Sequence, residues 1–495
     1  MSNSPTVATL SQEHFNPNIP QILPHEKMYK IQVGKSLFKI SGASLSSDGP
    51  SFFTEYFSKK RSPANNNDSN NDSIESSENE VLFIDRSAEV FEWIYQHLQG
   101  YIIEIKDEVQ YTMLFADAMY YNLPRLRSLL KETDYYFTNI GGQSFKIAKN
   151  LFRRKGDSPN YFEIYAATVY IDVEELIISR KLLRPPPHSA PYVPRSSEYF
   201  KDLLTLLGGA TLDLDDNRRD ALIKECRYYR FLNLEQRLIK SHVSYNPTTK
   251  KEEICLLLKD LSKKGVTFPA SSAFPTSPCF EEELCSVDEC DPLLKTCEQP
   301  ASKKIKLNVT EKYNDSWNML CYKRPFLDNH ARELIFQIDS TDCTIIFNKE
   351  SQSIHVDITG ESAQKFEALF GSHPPNTPFG ALNLNNYHYR FPSDSTQAKI
   401  ETHYLLPACI YLCDLDVNGI KISQVQSLLT DKNRFNDKVI DVSDPLGVKL
   451  CSGLKLYLRK SLWKLAMKDG KIMLLAIKAI AFNGTKEYYR GYEYL

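Results

Sequence analysis

The chain has almost no net charge: 60 Lys and Arg against 62 Asp and Glu leave −2 over 495 residues. That balance supplies no overall electrostatic pull toward nucleic acid or anionic lipid. Long apolar runs are also missing. The best one, IMLLAIKAIAF at 472–482, is interrupted by Lys478 and falls short of the about 20 residues a spanning helix needs. The opening residues, MSNSPTVATLSQEHF, lack the apolar core of a secretory signal and the Arg-rich pattern of a presequence. The 11 cysteines are odd in number and scattered singly, which points to a reducing compartment rather than a disulfide framework. No G-x-S-x-G, H-E-x-x-H, Walker or Rossmann glycine pattern occurs.

What the chain does have is a repeat. FIDRSAEVF at 83–91 returns as YVPRSSEYF at 192–200. Upstream, YKIQVGKSLFKI (29–40) matches YFTNIGGQSFKI (136–147), and PSFFTEY (50–56) matches PNYFEIY (159–165). Downstream, LFADAMYYNLPRL (114–126) matches LIKECRYYRFLNL (222–234). The matches keep their order, with an offset that drifts only between 107 and 109 residues, a spacing of domain size rather than solenoid size. A tandem duplication is the reading.

Each copy predicts a β-hairpin turning at Gly34-Lys35 or Gly141-Gly142, then a short strand. A helix capped by Ser87 or Ser196 follows, with Glu89 or Glu198 in its first turn to complement the dipole. Phe91, Ile94, Tyr95 and Leu98 recur at i, i+3, i+4 and i+7, as do Phe200, Leu203, Leu204 and Leu207, so each helix has one buried face. A further helix ends at Tyr120-Tyr121 or Tyr228-Tyr229.

FIDRSAEVF with ADAMYYNLPRL, and FTNIGGQSFKI with KECRYYRFLNL, resemble the BTB/POZ fold of the potassium-channel-tetramerisation (KCTD) type. The resemblance covers about 28–241. It departs at Lys35, which replaces the second glycine, and at Pro194, which stands where the first copy has Asp85, a position often used in intersubunit polar contacts. With the composition and strand alternation of the rest, this gives an α+β chain: a disordered tail at 1–27 and, as the resemblance implies, a first BTB/POZ domain at 28–134 with a disordered insertion at 61–80. A second BTB/POZ domain follows at 135–245 with a Pro-rich insertion at 180–194. A β-rich α+β domain at 246–495 completes the chain, with a disordered insertion at about 270–312.

In that last region 252–268 reads as a buried strand followed by a turn at Gly265. ELIFQID, CTIIFNK, SIHVDIT and GVKLCSGLKLYL alternate as strands, and ESAQKFEALFG and SQVQSLLTDK read as helices. Candidate chemistry there is sparse. Cys279, Cys285, Cys290 and Cys297 are too widely spaced for zinc pairs and read as free thiols. Cys409 and Cys413 read as core packing. Cys343, His388, His403 and several carboxylates could in principle form a nucleophile–base pair, but no motif supports one. Lys303, Lys304 and Lys306 resemble a nuclear-import signal but read better as a solvated patch; Arg459, Lys460, Lys464, Lys468 and Lys471 read as a solvated face.

No residue is therefore assigned a catalytic, cofactor-binding or metal-ligating role, and no cofactor is expected. The resemblance implies a non-enzymatic scaffold or adaptor, cytoplasmic with nuclear as the alternative. It would bind other proteins through BTB surfaces, with weak self-association, and it would engage no nucleic acid and span no membrane. By family analogy its setting is growth or stress signalling. The alternatives are a substrate adaptor for a cullin-based ubiquitin ligase and an unrecognised enzyme in the C-terminal domain.

Overall fold

The computed structural model describes residues 19–60, 81–168, 190–267, 317–371, 384–389, 403–430, 437–443, 450–468 and 470–489. It divides into two compact units, Met1–Leu238 and Ile239–Leu495.

The first unit holds two segments of matching element order. Segment one runs β1 (Met28–Val33), β2 (Ser36–Ser41), α1 (Gly42–Ser46), α2 (Phe52–Lys59), β3 (Val81–Ile84), α3 (Ala88–Leu98), α4 (Glu108–Tyr120) and α5 (Pro124–Lys131). Segment two runs β4 (Tyr135–Ile140), β5 (Gln143–Ala148), a 3-10 turn at Lys149–Phe152, α6 (Tyr161–Ala166), β6 (Tyr192–Val193), α7 (Ser197–Leu207), α8 (Asp216–Tyr229) and α9 (Leu232–Leu238). Both sheets have the hairpin pair antiparallel and the third strand parallel to the first, in orders β2-β1-β3 and β5-β4-β6.

Local chemistry explains the shared elements. Gly34 (φ +54°) and Gly141 (φ +57°) sit in the left-handed region at the hairpin turns. A Cβ on Gly141 would come within 2.4 Å of the Arg195 carbonyl oxygen, so the turn packs against the loop after β6. Ser87 and Ser196 accept hydrogen bonds from the backbone N–H of Val90 and Tyr199, as N-caps should. Phe91 and Phe200 are fully buried, and each lies against the conjugate tyrosine, Tyr121 at 5.6 Å and Tyr229 at 5.0 Å between ring centroids.

Three expectations move. The tail reading fails for its last residues: Leu23 is buried in the core of segment one and its N–H reaches Ser46 Oγ at 3.1 Å. The second boundary falls earlier than 245, because the strand Ser241–Asn246 pairs along its whole length with Lys251–Leu257 in the second unit. Tyr192–Val193, placed in the Pro-rich insertion, is strand β6. Residues 61–80 and 270–312, and 180–189 of the Pro-rich stretch, lie outside the described residues.

The second unit is a mixed sheet with a helix, Gly360–Phe370, whose Phe366 and Phe370 are buried. Its centre is the strand Leu450–Lys468, 19 residues long, which pairs antiparallel with Cys343–Asn348 and with Lys471–Phe482. Cys343–Asn348 pairs with Ser353–Ile358, that strand with His403–Cys409, and His403–Cys409 runs parallel to Lys471–Phe482. These five strands therefore close on themselves, which removes edges inside the ring. The apolar run at 472–482 is the closing strand. It alternates, with Ile472, Leu474, Ala476, Ala479 and Ala481 buried and Lys478 outside, 3.7 Å from Asp414. Of the stretch read as a helix from 423 to 432, the described residues 423–430 are helical over Ser427–Thr430, and 431–432 lie outside the described residues. No helix among the described residues is long and apolar enough to cross a membrane.

Candidate protein-interaction surfaces

The β3–α3 and β6–α7 loops each carry an arginine that reaches the penultimate helix of its segment. Arg86 bonds Asp117 and lies over the Tyr120 ring at 4.7 Å. Arg195 lies 3.4 Å from Glu225 and over the Tyr228 ring at 4.2 Å. Burial raises the pKa of Asp117 and of Glu225, and the paired arginine opposes the shift in each. Around these pairs the surface aromatics form ladders: Phe52 beside Tyr56 and Tyr120, and Tyr161 stacked on Tyr165 and Tyr228. Phe83 and Tyr192, at matching places on the third strands, are 71% and 59% exposed. Asp85 and Pro194 are both on the exposed side of the same loops.

A second shared device lies beneath. Asp48 is buried and accepts the N–H of Arg125 (2.6 Å) and of Leu126 (2.9 Å), capping α5 from 77 residues away. Asp157 does the same for Asn233 (3.0 Å) and Leu234 (3.1 Å) at α9. The segments differ in how the carboxylate is shared: Arg125 N–H bonds Asp48 Oδ1 and Leu126 N–H bonds Oδ2, whereas both Asn233 and Leu234 amides bond Asp157 Oδ1. His97 Nε2 sits 2.8 Å from Asp48 Oδ2, whereas the matching residue in segment two is Leu206, and Asp157 Oδ2 has no hydrogen-bond partner. Burial accordingly raises the Asp157 pKa, against the pull of the Leu234 and Asn233 amides and of Arg154 and Arg237.

Residues 29–135 match the family model described as BTB/POZ domain, and residues 251–492 match the one described as YLR108C C-terminal domain. Among curated proteins, the BTB/POZ domain-containing protein YLR108C of Saccharomyces cerevisiae is 41% identical over 490 residues, 96% of each chain. Uncharacterized protein YDR132C of the same yeast is 88% identical over the full length of both chains. No solved structure matches. The chain belongs to the BTB/POZ domain-containing protein family.

The BTB/POZ domain is a protein-interaction module, and here one of its faces is already taken. The start of α4 packs on β4 and β5 of segment two, with Tyr111 stacked on Phe137 at 5.4 Å between centroids, while the Tyr111 hydroxyl donates back to the Leu130 carbonyl of α5 in its own segment at 2.9 Å. Glu108 Oε1 accepts from Asn139 Nδ2 and from Ser144 Oγ, both at 3.1 Å. Phe137 thereby belongs to the core of the BTB/POZ domain. The matching residues on α8 are Asp216 and Arg219, so the second segment does not present the same aromatic face.

Other candidates separate. Cys413 is buried and burial pushes its thiol up to about 12, but Cys409 is exposed, so core packing holds for only one of the pair. Cys343 is wholly buried and its thiol is held protonated by burial, with Asp357 adding to the effect. His403 Nδ1 lies 3.3 Å from Asp357, while His388 lies against the Tyr404 ring. Lys464 is not solvated: it bonds Glu253 Oε1 at 2.6 Å and Glu333 Oε2 at 2.8 Å. Burial pulls its pKa down, but the two glutamates outweigh that and hold it above the ordinary lysine value. Cys279, Cys285, Cys290, Cys297, Lys303, Lys304 and Lys306 lie outside the described residues. Among the described residues no group of three or more His, Cys, Asp or Glu is arranged to hold a metal. Tyr111 and Glu108 carried no signal in the repeat, because the α4 face is where the copies differ; Asp48 does recur, as Asp157 two residues before the matched PSFFTEY and PNYFEIY segments, but its role acts across 77 residues and is not local.

Proposed function

We propose that the protein is a non-enzymatic adaptor built on two BTB-type units in tandem, of the potassium-channel-tetramerisation type, within one chain. The observation that carries the reading is the joint between α4 and β4. One unit's lateral face is occupied by the neighbouring unit, held there at short-linker effective concentration. A contact between two different faces is heterologous, so further copies add only where the end faces match. The end faces here differ: Lys30 and Gln32 stand where the second segment has Phe137 and Asn139, and Asp216 and Arg219 stand where the first has Glu108 and Tyr111. Self-association is therefore weak, and the outer faces serve other proteins.

Sedimentation of the full chain over a range of concentrations tests the assembly, with a monomer or a concentration-dependent small oligomer expected. A concentration-independent ring of four or five chains would reject it. Affinity purification with mass spectrometry tests the adaptor role. Recovery of kinases or phosphatases supports a signalling scaffold, recovery of a cullin turns the reading to a ligase adaptor, and recovery of no stoichiometric partner rejects both.

A further inference from the structure

A cavity of about 300 Å³ opens beside the α4–β4 joint. That is the lower end of the range for ligand pockets. Its walls are aromatic: Tyr135, Tyr136, Phe137, Tyr161, Phe162 and Tyr165. The rings are ordered against each other, Tyr136 stacked on Phe162 and Tyr161 on Tyr165, each pair 6.1 Å between centroids. The walls also bring Lys149, Lys131 and Glu163 together.

The three charges are not equivalent. Glu163 is engaged: its two carboxylate oxygens accept from Asn160 Nδ2 at 3.1 Å and Ser158 Oγ at 2.8 Å, fixing the start of α6. Lys149 Nζ lies over the Tyr136 ring at 5.2 Å and makes one long hydrogen bond, 3.4 Å, to the Lys131 carbonyl. Burial lowers its pKa, against the attraction of Asp134 and Glu163. An ammonium short of acceptors and partly out of water gains most from an added carboxylate, which stands in for its lost hydration and accepts its remaining hydrogen bonds. The aromatic walls in turn suit a large apolar body.

We propose that this cavity is a docking pocket for a partner protein and takes a large apolar side chain with a carboxylate beside it. The carboxylate meets Lys149 and the apolar body lies between the Tyr136–Phe162 and Tyr161–Tyr165 pairs. The proposal rests on the adaptor reading above and names what one of its surfaces recognises.

Saturation-transfer difference NMR on the full chain tests it with 3-phenylpropionate and, as a cation of like shape, 3-phenylpropylamine. The acid should bind saturably and about tenfold more tightly than the amine, the scale of one charge-assisted hydrogen bond. Lys149→Gln should weaken the acid to the level of the amine and leave the amine unchanged. Tyr165→Ala should weaken both. If Lys149→Gln does not fold, added salt reads the same charge on the native chain, weakening the acid and not the amine. The dipeptide acetyl-Phe-Glu-amide should displace the acid. Equal binding of the two probes, an acid preference that survives Lys149→Gln, or an acid preference indifferent to salt overturns the pocket. A dipeptide that fails to displace the acid overturns the protein partner. None of these outcomes touches the adaptor reading, which the purification experiment decides separately.

Discussion

Segment one and segment two share a skeleton and part company at the surface. Both keep the left-handed glycine of the hairpin, the serine cap, the buried phenylalanine, the buried aspartate under the last helix, and the arginine laid over a tyrosine. They differ in what each penultimate helix offers, Glu108 and Tyr111 in one and Asp216 and Arg219 in the other, and in what meets the second oxygen of the aspartate. The difference teaches which residues build the unit and which assign it a neighbour. Backbone geometry and core volume tolerate little change, whereas an outward face can be rewritten once its contact is no longer needed.

The largest expected effect tests the shared skeleton. Phe91→Ala and Phe200→Ala should each cost roughly 3–5 kcal/mol in urea denaturation, since each empties a fully buried ring site. A markedly smaller loss in one would break the equivalence of the two cores. Next comes the divergent face. Tyr111→Ala removes the stack on Phe137 and the bond to the Leu130 carbonyl, and should cost roughly 2–3 kcal/mol. Arg219→Ala, at the matching place on α8, loses the 3.2 Å hydrogen bond from Arg219 Nη2 to the Leu214 carbonyl and should cost about 1 kcal/mol or less. Equal losses would mean that α8 carries a contact of its own.

A smaller effect comes from making segment one resemble segment two. His97→Leu removes the 2.8 Å side-chain partner of Asp48 Oδ2, which keeps only the Leu126 N–H, and should cost about 1 kcal/mol at pH 7. No loss would show that the histidine is incidental.

The smallest effect is in pH. Asp157 has its folded pKa raised by burial above the ordinary 3.8. A raised value means that the folded chain binds this proton more readily than the unfolded chain. The associated stability is full below the unfolded value and is lost as pH rises through the folded one. The stability of wild type relative to Asp157→Asn should therefore improve between pH 7 and pH 4, followed by urea midpoints at each pH. A flat difference would show that burial does not perturb Asp157.

The skeleton was legible in the sequence because its signals are local or repeated. Gly34 and Gly141, Ser87 and Ser196, and the i, i+3, i+4, i+7 patterns behind Phe91 and Phe200 each announce one element and each occur twice. The joint was not legible, since Tyr111 and Phe137 are unlike in the two copies and meet only in three dimensions. The strands of the second unit were largely readable by alternation. The ring they form was hidden, because Lys478 interrupts the closing run and nothing local says that its neighbours are His403–Cys409 on one side and Leu450–Lys468 on the other. Lys464 misled for a related reason: its glutamates lie 211 and 131 residues away.

That ring also sets an order of events during synthesis. Its seam is Lys471–Phe482, so the emerging polypeptide carries Leu450–Lys468 and His403–Cys409 with unpaired edges until the last of those residues has left the ribosome. Pairings of such sequence separation form slowly, and open edges recruit foreign strands in the meantime. A stop codon anywhere before 471 makes that interval permanent: the second unit would be released as an open sheet, a substrate for chaperones and proteases rather than a shorter version of the same domain.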